Sequence, residues 1–256
     1  MKAHWLVPDW PAPVAVRALS TWRSGGVSTA SYASLNLGDH VGDAPESVAE
    51  NRLRLAAAAS LPAKPAWLSQ VHGTRVADLD AAGRDAAGRD ADGRKEPADA
   101  AFSRQSGRVC AILTADCLPI LLAADSGDLV AAIHAGWRGL AAGIIETTLA
   151  ALAVPPAKLL VWLGPAIGPR HFEVGKEVRA ALLERDPTAE AAFAPNARGR
   201  FMADLGGLAR RRLTAAGIAR IYGGGQCTFA DQDRYFSHRR DGVTGRQATL
   251  IWLQHG

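Results

Sequence analysis

Residues 109–152 read VCAILTADCLPILLAADSGDLVAAIHAGWRGLAAGIIETTLAAL, and this stretch decides the fold of the chain. Its apolar runs over residues 109–114 and 119–124 are typical of buried strands, and the Ser-Gly-Asp at 126–128 has the composition of a turn. A third strand ends at His134, and a glycine-punctuated turn then leads into an apolar helix over residues 140–153. This order of strands and helix predicts an α/β fold with a mixed sheet.

Two side chains of this stretch lie where a strand is expected to stop. Cys117 follows the first strand and His134 ends the third, while His72 ends an earlier strand predicted over residues 67–72. Junctions of this kind often hold functional groups, because the backbone is rigid on one side and open to solvent on the other. Cysteine and histidine are also common there as structural residues, so position alone leaves both interpretations open.

The composition is that of a folded protein with a modest positive charge. The chain has 256 residues, of which 48% are apolar, close to the globular average, and its formal net charge is +4. The arginines in excess are scattered, with no basic block, so nucleic acid is not expected as a partner.

We expect a cytoplasmic protein without a membrane partner. No apolar run approaches the length of a membrane span, and the first residues, MKAHWLVPDWPAPV, lack a signal-peptide pattern. Three cysteines at uneven spacing, Cys110, Cys117 and Cys227, do not suggest a disulfide framework, and reduced thiols suit the cytoplasm.

No linker, repeat or shift in composition divides the chain, so we predict one domain over residues 1–256. Residues 80–95 repeat AAGRD with small variations; such a segment cannot build a core and is expected to be a surface excursion. Elsewhere the patterns predict helices over residues 45–59, 174–185 and 204–216, and strands over residues 158–163, 218–222 and 248–253.

The set His72, Cys117 and His134 matches no short metal-binding spacing, but its residue types suit a metal site. Two imidazoles and a thiolate suit zinc and leave a fourth position open, as in catalytic sites, and copper also binds such a set. Asp116 would then serve as a proton acceptor or as the hydrogen-bond partner of a ligand. A metal-free alternative pairs Cys117 as nucleophile with His134 as its base, and the residues alone do not separate the two.

A second candidate region is the glycine- and serine-rich stretch RSGGVSTASYASLNLGDHVGD, residues 23–43. Loops of this length with little periodicity are usually functional or disordered, and its interspersed apolar residues favour a functional loop. Arg23 beside two glycines would bind an anion, and Asn36 adds a polar group. Arg138, in the turn after His134, would contribute a second cation at a helix start. A solvated surface loop and an ordinary turn are the alternatives.

Several motifs along nearly the whole chain are long enough to be specific. They are RSGGVS (23–28), SLNLGDHVGD (34–43), NR (51–52), QVHG (70–73), TADCLP (114–119), HAGWRG (134–139), LGPAIGP (163–169), CT (227–228) and SHRRDGVTGR (237–246). In these motifs the chain resembles the YfiH family, whose members are described as laccase-domain proteins or polyphenol oxidases, purine nucleoside phosphorylases and peptidoglycan editing factors. Trp22 and the excursion at 80–95 depart from the family pattern, and neither touches the candidate ligands.

The resemblance implies a single-domain layered α/β sandwich with a mixed sheet, similar also to the deamidase domain of cytotoxic necrotizing factor. It implies a zinc site with His72, Cys117 and His134 as ligands. It also implies phosphorolysis of adenosine, inosine and methylthioadenosine, together with deamination of adenosine. We therefore expect a zinc-dependent purine nucleoside phosphorylase in which Cys117, His134 and Asp116 are catalytic and the partners are a nucleoside and phosphate.

Phosphorolysis requires that phosphate be held beside C1′ of the ribose while the purine leaves. The expected cationic residues are Arg23, Arg138 and Arg239, because guanidinium groups bind phosphate through paired hydrogen bonds. Asn36 would bind a sugar hydroxyl or the base.

Other functions implied by the resemblance remain open. One is an amide hydrolase that edits a peptidoglycan precursor, and another is a copper-dependent polyphenol oxidase. A multicopper oxidase needs many paired histidines, whereas this chain has seven and none forms a His-X-His pair; we expect oxidase behaviour to reflect copper in the zinc site. A binding module with a structural metal is less consistent, because structural zinc normally has four protein ligands.

Overall fold

The computed structural model describes residues 5–83, 85, 95 and 97–254. The helices are α1 (Pro45–Ala58), α2 (Trp137–Ala142), α3 (Ile144–Leu152), α4 (Lys176–Arg185), α5 (Leu205–Ala215) and α6 (His238–Asp241). The strands are β1 (Trp5–Leu6), β2 (Val16–Thr21), β3 (Ala66–Trp67), β4 (Val76–Asp78), β5 (Ala100–Ser103), β6 (Val109–Thr114), β7 (Leu118–Ala124), β8 (Val130–Ala135), β9 (Leu159–Leu163), β10 (Glu173–Val174), β11 (Phe193–Pro195), β12 (Phe201–Ala203), β13 (Arg220–Gly223) and β14 (Gln247–Leu253).

The strands form two large mixed sheets and a small one. One large sheet has the order β1-β2-β14-β6-β3 and the other has the order β13-β9-β7-β8-β5-β4. Most neighbours run antiparallel, while β3 with β6, β4 with β5 and β9 with β13 run parallel. The small sheet, β10-β12-β11, lies outside these two.

The two large sheets face each other and helices cover their outer faces. Ile112 and Ile251 of the first sheet belong to one buried cluster with Leu121 and Val130 of the second. Side chains on the opposite face of the second sheet, such as Leu122, pack in another cluster with α2, α3, α4 and α5. α1 covers the outer face of the first sheet. The layers are therefore helix, sheet, sheet, helix, and the expected layered α/β sandwich is confirmed.

This layering explains why the central strands are apolar on both faces. Every residue of β6, β7 and β8 is buried, so these strands read as continuous apolar runs without alternation. The strand predicted over 109–114 has the same bounds as β6, and β7 begins one residue earlier than predicted.

Two predicted elements differ from those observed. The single helix expected over 140–153 is two helices, α2 and α3, because Gly143 has a φ of +99° and breaks the helical path between them. Of the strand expected over 67–72, only Trp67 belongs to a strand, β3, and Ser69 forms an isolated bridge with Pro97 before His72 adopts a φ of +59°.

The excursion predicted over residues 80–95 lies largely outside the described residues, and the prediction of one domain stays a prediction. Within the described ranges, no helix combines the length and the apolar character needed to cross a bilayer.

Candidate active site

The candidate ligands meet at one end of the six-stranded sheet. His134 lies near the end of β8, and the register pairs it with Pro119 of β7. Cys117 precedes β7 in a tight turn, so the antiparallel hairpin brings it beside His134 although 17 residues separate them in the chain. His72 reaches the same place from the irregular segment after β3.

The three side chains are close enough to share one ion. Nε2 of His72 lies 3.8 Å from Sγ of Cys117, and the two imidazole rings meet edge to face with centroids 4.7 Å apart. One ligand atom from each residue lies within 4.8 Å of the others. His72 is exposed and His134 is buried, so the cluster extends from the surface of the protein into its core.

Asp99, which sequence analysis did not single out, organises this cluster. Its buried carboxylate accepts a hydrogen bond from Nδ1 of His134 at 2.8 Å and from the backbone N–H groups of Val71, His72 and Gly73 at 3.2, 2.9 and 2.7 Å. One carboxylate therefore orients both histidines. Because Nδ1–H of His134 is used, Nε2 is the ring nitrogen left to bind an ion.

Charge separation stabilises the pair formed by Cys117 and His134. Burial alone would raise the pKa of the Cys117 thiol, but the neighbouring His134 and His72 outweigh it and lower the pKa to about 6. Burial would lower the pKa of His134, yet Cys117 and Asp99 raise it to about 9. Burial also opposes ionisation of Asp99, but the hydrogen bonds from His134 and the backbone lower its pKa. Cys117 is therefore a thiolate at neutral pH, which is the form that binds metal.

Close packing explains the glycines that follow His134. A Cβ on Gly136 would lie 2.9 Å from Cδ2 of His72 and 3.0 Å from Sγ of Cys117. A Cβ on Gly139 would lie 3.1 Å from the carbonyl oxygen of Gly73. The two glycines therefore let the start of α2 approach the ligands.

Asp116, expected as a proton acceptor or as the partner of a ligand, has both carboxylate oxygens hydrogen-bonded to neighbouring loops. Its φ of +93° is a strained conformation for a residue with a side chain. One carboxylate oxygen accepts from the Thr228 hydroxyl at 2.7 Å, and the other accepts from the backbone N–H of Arg239 at 2.6 Å. The hydrogen-bond partner of a ligand is Asp99 instead, and Asp116 ties the Cys117 turn to two neighbouring loops.

The predicted substrate residues divide into two groups. Arg138 is exposed in the first turn of α2, and Arg239 is exposed with its guanidinium on the carbonyl oxygen of Glu173. Arg23 instead donates to the carbonyl oxygens of Ala33 and Gln232 at 2.9 and 3.3 Å. Arg138 and Arg239 therefore remain accessible, whereas Arg23 holds two loops together.

Asn36 is fully buried, and its side chain is committed to protein groups. Its amide oxygen accepts from the N–H groups of Gly38 and Arg246, both at 2.9 Å. Its amide nitrogen donates to the carbonyl oxygen of Gly38 and to the carboxylate of Asp43 at 3.1 and 2.9 Å. The structure therefore does not present Asn36 to a substrate.

Arg246 is a second site residue that sequence analysis missed. It directly precedes Gln247, which pairs with Thr114 three residues before Cys117. Burial lowers the pKa of its guanidinium, and the negative charges of Cys117 and Asp116 oppose that effect. Two signals were present in the sequence: Asp99 is a lone acid in an apolar run, and Arg246 ends the 237–246 motif directly before β14. Neither signal names the partner, because the contacts join distant segments.

The donor set fits a metal ion. Zinc bound by a thiolate at about 2.3 Å and an imidazole at about 2.1 Å in tetrahedral geometry holds those atoms about 3.6 Å apart, close to the 3.8 Å between Cys117 and His72. The buried Asp99–His134 hydrogen bond supplies the carboxylate partner that metal-binding histidines usually have.

A family model described as multi-copper polyphenol oxidoreductase laccase matches residues 17–254. A relative from Escherichia coli K12, named purine nucleoside phosphorylase YfiH, is 50% identical over 248 residues, covering 97% of this chain and 98% of the relative. The chain belongs to the YfiH family. Another YfiH-family relative, named purine nucleoside phosphorylase PA4543, from Pseudomonas aeruginosa, is 54% identical over 251 residues and covers 98% of both chains.

Solved structures of YfiH-family relatives have the same fold. The Neisseria meningitidis protein NMB0706 is 45% identical with a TM-score of 0.90, covering 98% of this chain and 100% of that one. YlmD from Geobacillus stearothermophilus is 32% identical with a TM-score of 0.92, covering 100% of this chain and 98% of that one.

Proposed function

We propose that this protein is a zinc-dependent purine nucleoside phosphorylase acting on adenosine, inosine and methylthioadenosine. The observation that carries the proposal is the cluster of His72, Cys117 and His134 held by the buried carboxylate of Asp99. Relatives that are 50% and 54% identical over nearly the whole chain are named purine nucleoside phosphorylases. Such identity supports carrying the reaction over to this chain.

Zinc is the proposed metal, with copper as a competitor for the same ligands. Two imidazoles and one thiolate leave a coordination position for a substrate oxygen or for water. Bound zinc would supply a Lewis acid that stabilises negative charge on such an oxygen and lowers the pKa of water to about 7. The protein contributes the orientation of the ligands, because Asp99 holds His134 by its side chain and His72 by its backbone.

Two cavities differ in their relation to this site. A cavity of about 270 Å³ is lined by Leu118, which follows Cys117, and by the loops over residues 164–171 and 224–227. A larger cavity of about 1010 Å³ is lined mainly by α5 and residues 185–192, and neither cavity has a candidate ligand in its lining. We assign the nucleoside to the smaller cavity, because its lining includes Leu118, the chain neighbour of Cys117, and the substrate must reach the ligand cluster.

Adenosine deamination is the second activity that we propose for the same site. The set of three protein ligands favours it, because a metal ion held by three residues would suit hydrolysis as well as phosphorolysis. The laccase description of the family receives less support. In the part of the chain that the structure describes, a single group of three metal-ligand residues is close enough to share an ion, and a multicopper oxidase needs several copper centres.

The proposal is tested with purified, zinc-loaded protein. Adenosine, inosine or methylthioadenosine is incubated with and without inorganic phosphate, and ribose 1-phosphate (or its methylthio analogue) and free purine are measured by ³¹P NMR and chromatography. We expect phosphate-dependent release of the purine, and formation of inosine from adenosine without phosphate. No product from any nucleoside would refute the phosphorylase function. A parallel assay with UDP-linked muramyl-serine tests the amide hydrolase alternative, which release of serine would favour.

A further inference from the structure

Arg246 lies at the same end of the sandwich as the ligand cluster. It directly precedes β14, whose first residue, Gln247, pairs with Thr114 of β6. This pairing puts the end of β6 beside the start of β14. Because Thr114 is three residues before Cys117, Arg246 lies near the turn that holds Cys117. The guanidinium is partly buried, and Cys117 and Asp116 are near enough to act on its charge.

The positive charge of Arg246 has no carboxylate partner among the described residues. The side-chain hydrogen bonds come from Nη1 alone, which donates to the carbonyl oxygens of Thr244 and Gly245, both at 3.0 Å. Both oxygens of the nearby Asp116 are already bonded to Thr228 and to the backbone of Arg239. Nε and Nη2 therefore keep their N–H donors for another acceptor, and a guanidinium does not lose its charge at neutral pH.

The loop over residues 23–43 holds Arg246 in this position. The amide oxygen of Asn36 accepts from the backbone N–H of Arg246 at 2.9 Å, and the N–H of Leu37 donates to the Arg246 carbonyl oxygen at 3.1 Å. Gly38 makes room for the side chain, because a Cβ there would lie 2.8 Å from Cγ of Arg246. A partly buried guanidinium that is not hydrogen-bonded to a carboxylate keeps donors unsatisfied, so its retention at this place favours a bound anion.

We propose that Arg246 binds the inorganic phosphate substrate beside the ligand cluster, through its free Nε and Nη2 donors, and that Asn36 and Gly38 are positioning residues for it. This inference rests on the proposed phosphorylase function and names the residue that takes its second substrate. A fork of two N–H donors matches two oxygens of a tetrahedral oxyanion.

In the reaction, an oxygen of hydrogen phosphate forms a bond with C1′ and the bond between C1′ and N9 breaks. The electron pair of the broken bond leaves with the purine, and the proton of hydrogen phosphate ends on the purine nitrogen. Ribose 1-phosphate and the neutral purine are the products. Arg246 holds the phosphate and takes no part in the proton transfer.

The test compares Arg246→Gln and Arg246→Lys with wild type, in full-length, zinc-loaded protein. Arg54→Gln is the matched control, because Arg54 is an exposed arginine of α1 paired with Glu50. Binding of inorganic phosphate is measured by calorimetry without nucleoside, and the KM for phosphate and for adenosine is measured separately. Loss of a charge-assisted pair predicts at least about tenfold weaker phosphate binding in Arg246→Gln. We expect the KM for adenosine and the zinc content to change little.

Arg246→Lys and one further variant, Gly38→Ala, keep the test informative if Arg246→Gln does not fold. Arg246→Lys retains the positive charge without the paired guanidinium donors. Gly38→Ala retains the arginine but displaces the aliphatic part of its side chain. Both are expected to raise the KM for phosphate while Arg54→Gln leaves it at the wild-type value. Folding and zinc content are checked for each variant.

The outcomes separate this inference from the function on which it rests. Phosphorolysis with an unchanged phosphate KM in Arg246→Gln or Arg246→Lys would overturn the role of Arg246 and leave the phosphorylase function standing. Phosphate binding that depends on Arg246, without ribose 1-phosphate from any nucleoside, would overturn the proposed function and retain the oxyanion site. Acetate binding as tightly as phosphate would overturn the assignment to phosphate.

Discussion

The carboxylate of Asp99 accepts a hydrogen bond of 2.8 Å from Nδ1 of His134, and both side chains are buried at the base of the ligand cluster. The same carboxylate binds three successive backbone N–H groups from Val71 to Gly73. This one carboxylate therefore has two effects. It leaves Nε2 as the ring nitrogen of His134 that faces Cys117, and it holds the backbone segment that carries the His72 side chain.

Asp99→Asn should therefore weaken metal binding without removing a ligand. The variant keeps the shape of the side chain but replaces one carboxylate oxygen with an amide NH₂ group, which cannot accept a hydrogen bond from an N–H donor. Loss of such a partner costs about 10- to 100-fold in metal affinity. Competition with a chromophoric chelator measures the affinity for zinc. The matched control is Asp80→Asn, because Asp80 accepts from Ser103 and Arg104 away from the site. Equal affinity in the two variants would contradict the role of Asp99.

Cys117→Ala should abolish both metal binding and phosphorolysis, because it removes the thiolate ligand of the cluster. Metal content is measured by plasma mass spectrometry and activity by purine release. Cys110→Ala is the control, since Cys110 is buried in β6 and belongs neither to the cluster nor to the lining of the cavity assigned to the nucleoside. Full phosphorolysis by metal-free Cys117→Ala protein would refute the zinc mechanism.

The thiol of Cys117 should be reactive at unusually low pH once metal is removed. Burial would raise its pKa, but the neighbouring histidines lower it to about 6, whereas an ordinary thiol has a pKa of about 8.5. Because the thiolate is the reactive form, the alkylation rate should rise through pH 6 and change little above neutrality. Iodoacetamide labelling of chelator-treated protein, followed by peptide mass spectrometry, gives the rate at each residue. Burial raises the pKa of Cys110, so that thiol should remain unlabelled. A midpoint near 8.5 would disagree with the structure.

Gly26→Ala should destabilise the loop that supports Arg246. A Cβ at this position would lie 2.1 Å from the carbonyl oxygen of Ser34 and 2.4 Å from Oδ1 of Asn51. Overpacking of this kind costs about 1–3 kcal/mol or more in unfolding free energy. Gly225→Ala is the control, because a Cβ there meets open space and its backbone is not left-handed. Denaturant unfolding measures the difference, and equal stability of the two variants would show that the loop adapts.

The sequence alone was informative where one local pattern had one structural outcome. Continuous apolar runs identified β6 and β7 because both faces of these strands are covered, and Asp204 correctly marked the start of α5 because its side chain accepts from Gly207. The ends of strands also indicated Cys117 and His134. The break at Gly143 was missed because glycine is tolerated in a helix, and the local sequence does not show that it adopts a φ of +99° with the Arg185 guanidinium close by.

Other parts of the site depended on contacts between distant segments. Asn36 looks like a substrate residue in a polar loop, but the folded chain buries it against Arg246, 210 residues away. Asp116 precedes Cys117 and therefore looked like its partner, whereas Asp99 is the acid that reaches His134. Residue type and position along the chain do not reveal which buried polar groups satisfy one another.

The sequence by itself predicted an α/β fold with a mixed sheet and its central strands, because burial on both faces leaves continuous apolar runs. The layered sandwich and the set of three ligands followed from the family resemblance of its motifs. Only the tertiary structure decided that Asp99 orients both histidines and that Arg246 stands beside them with unused donors. Those relationships arise where loops from separate strands meet, and hydrogen bonding between such loops has no periodicity along the chain.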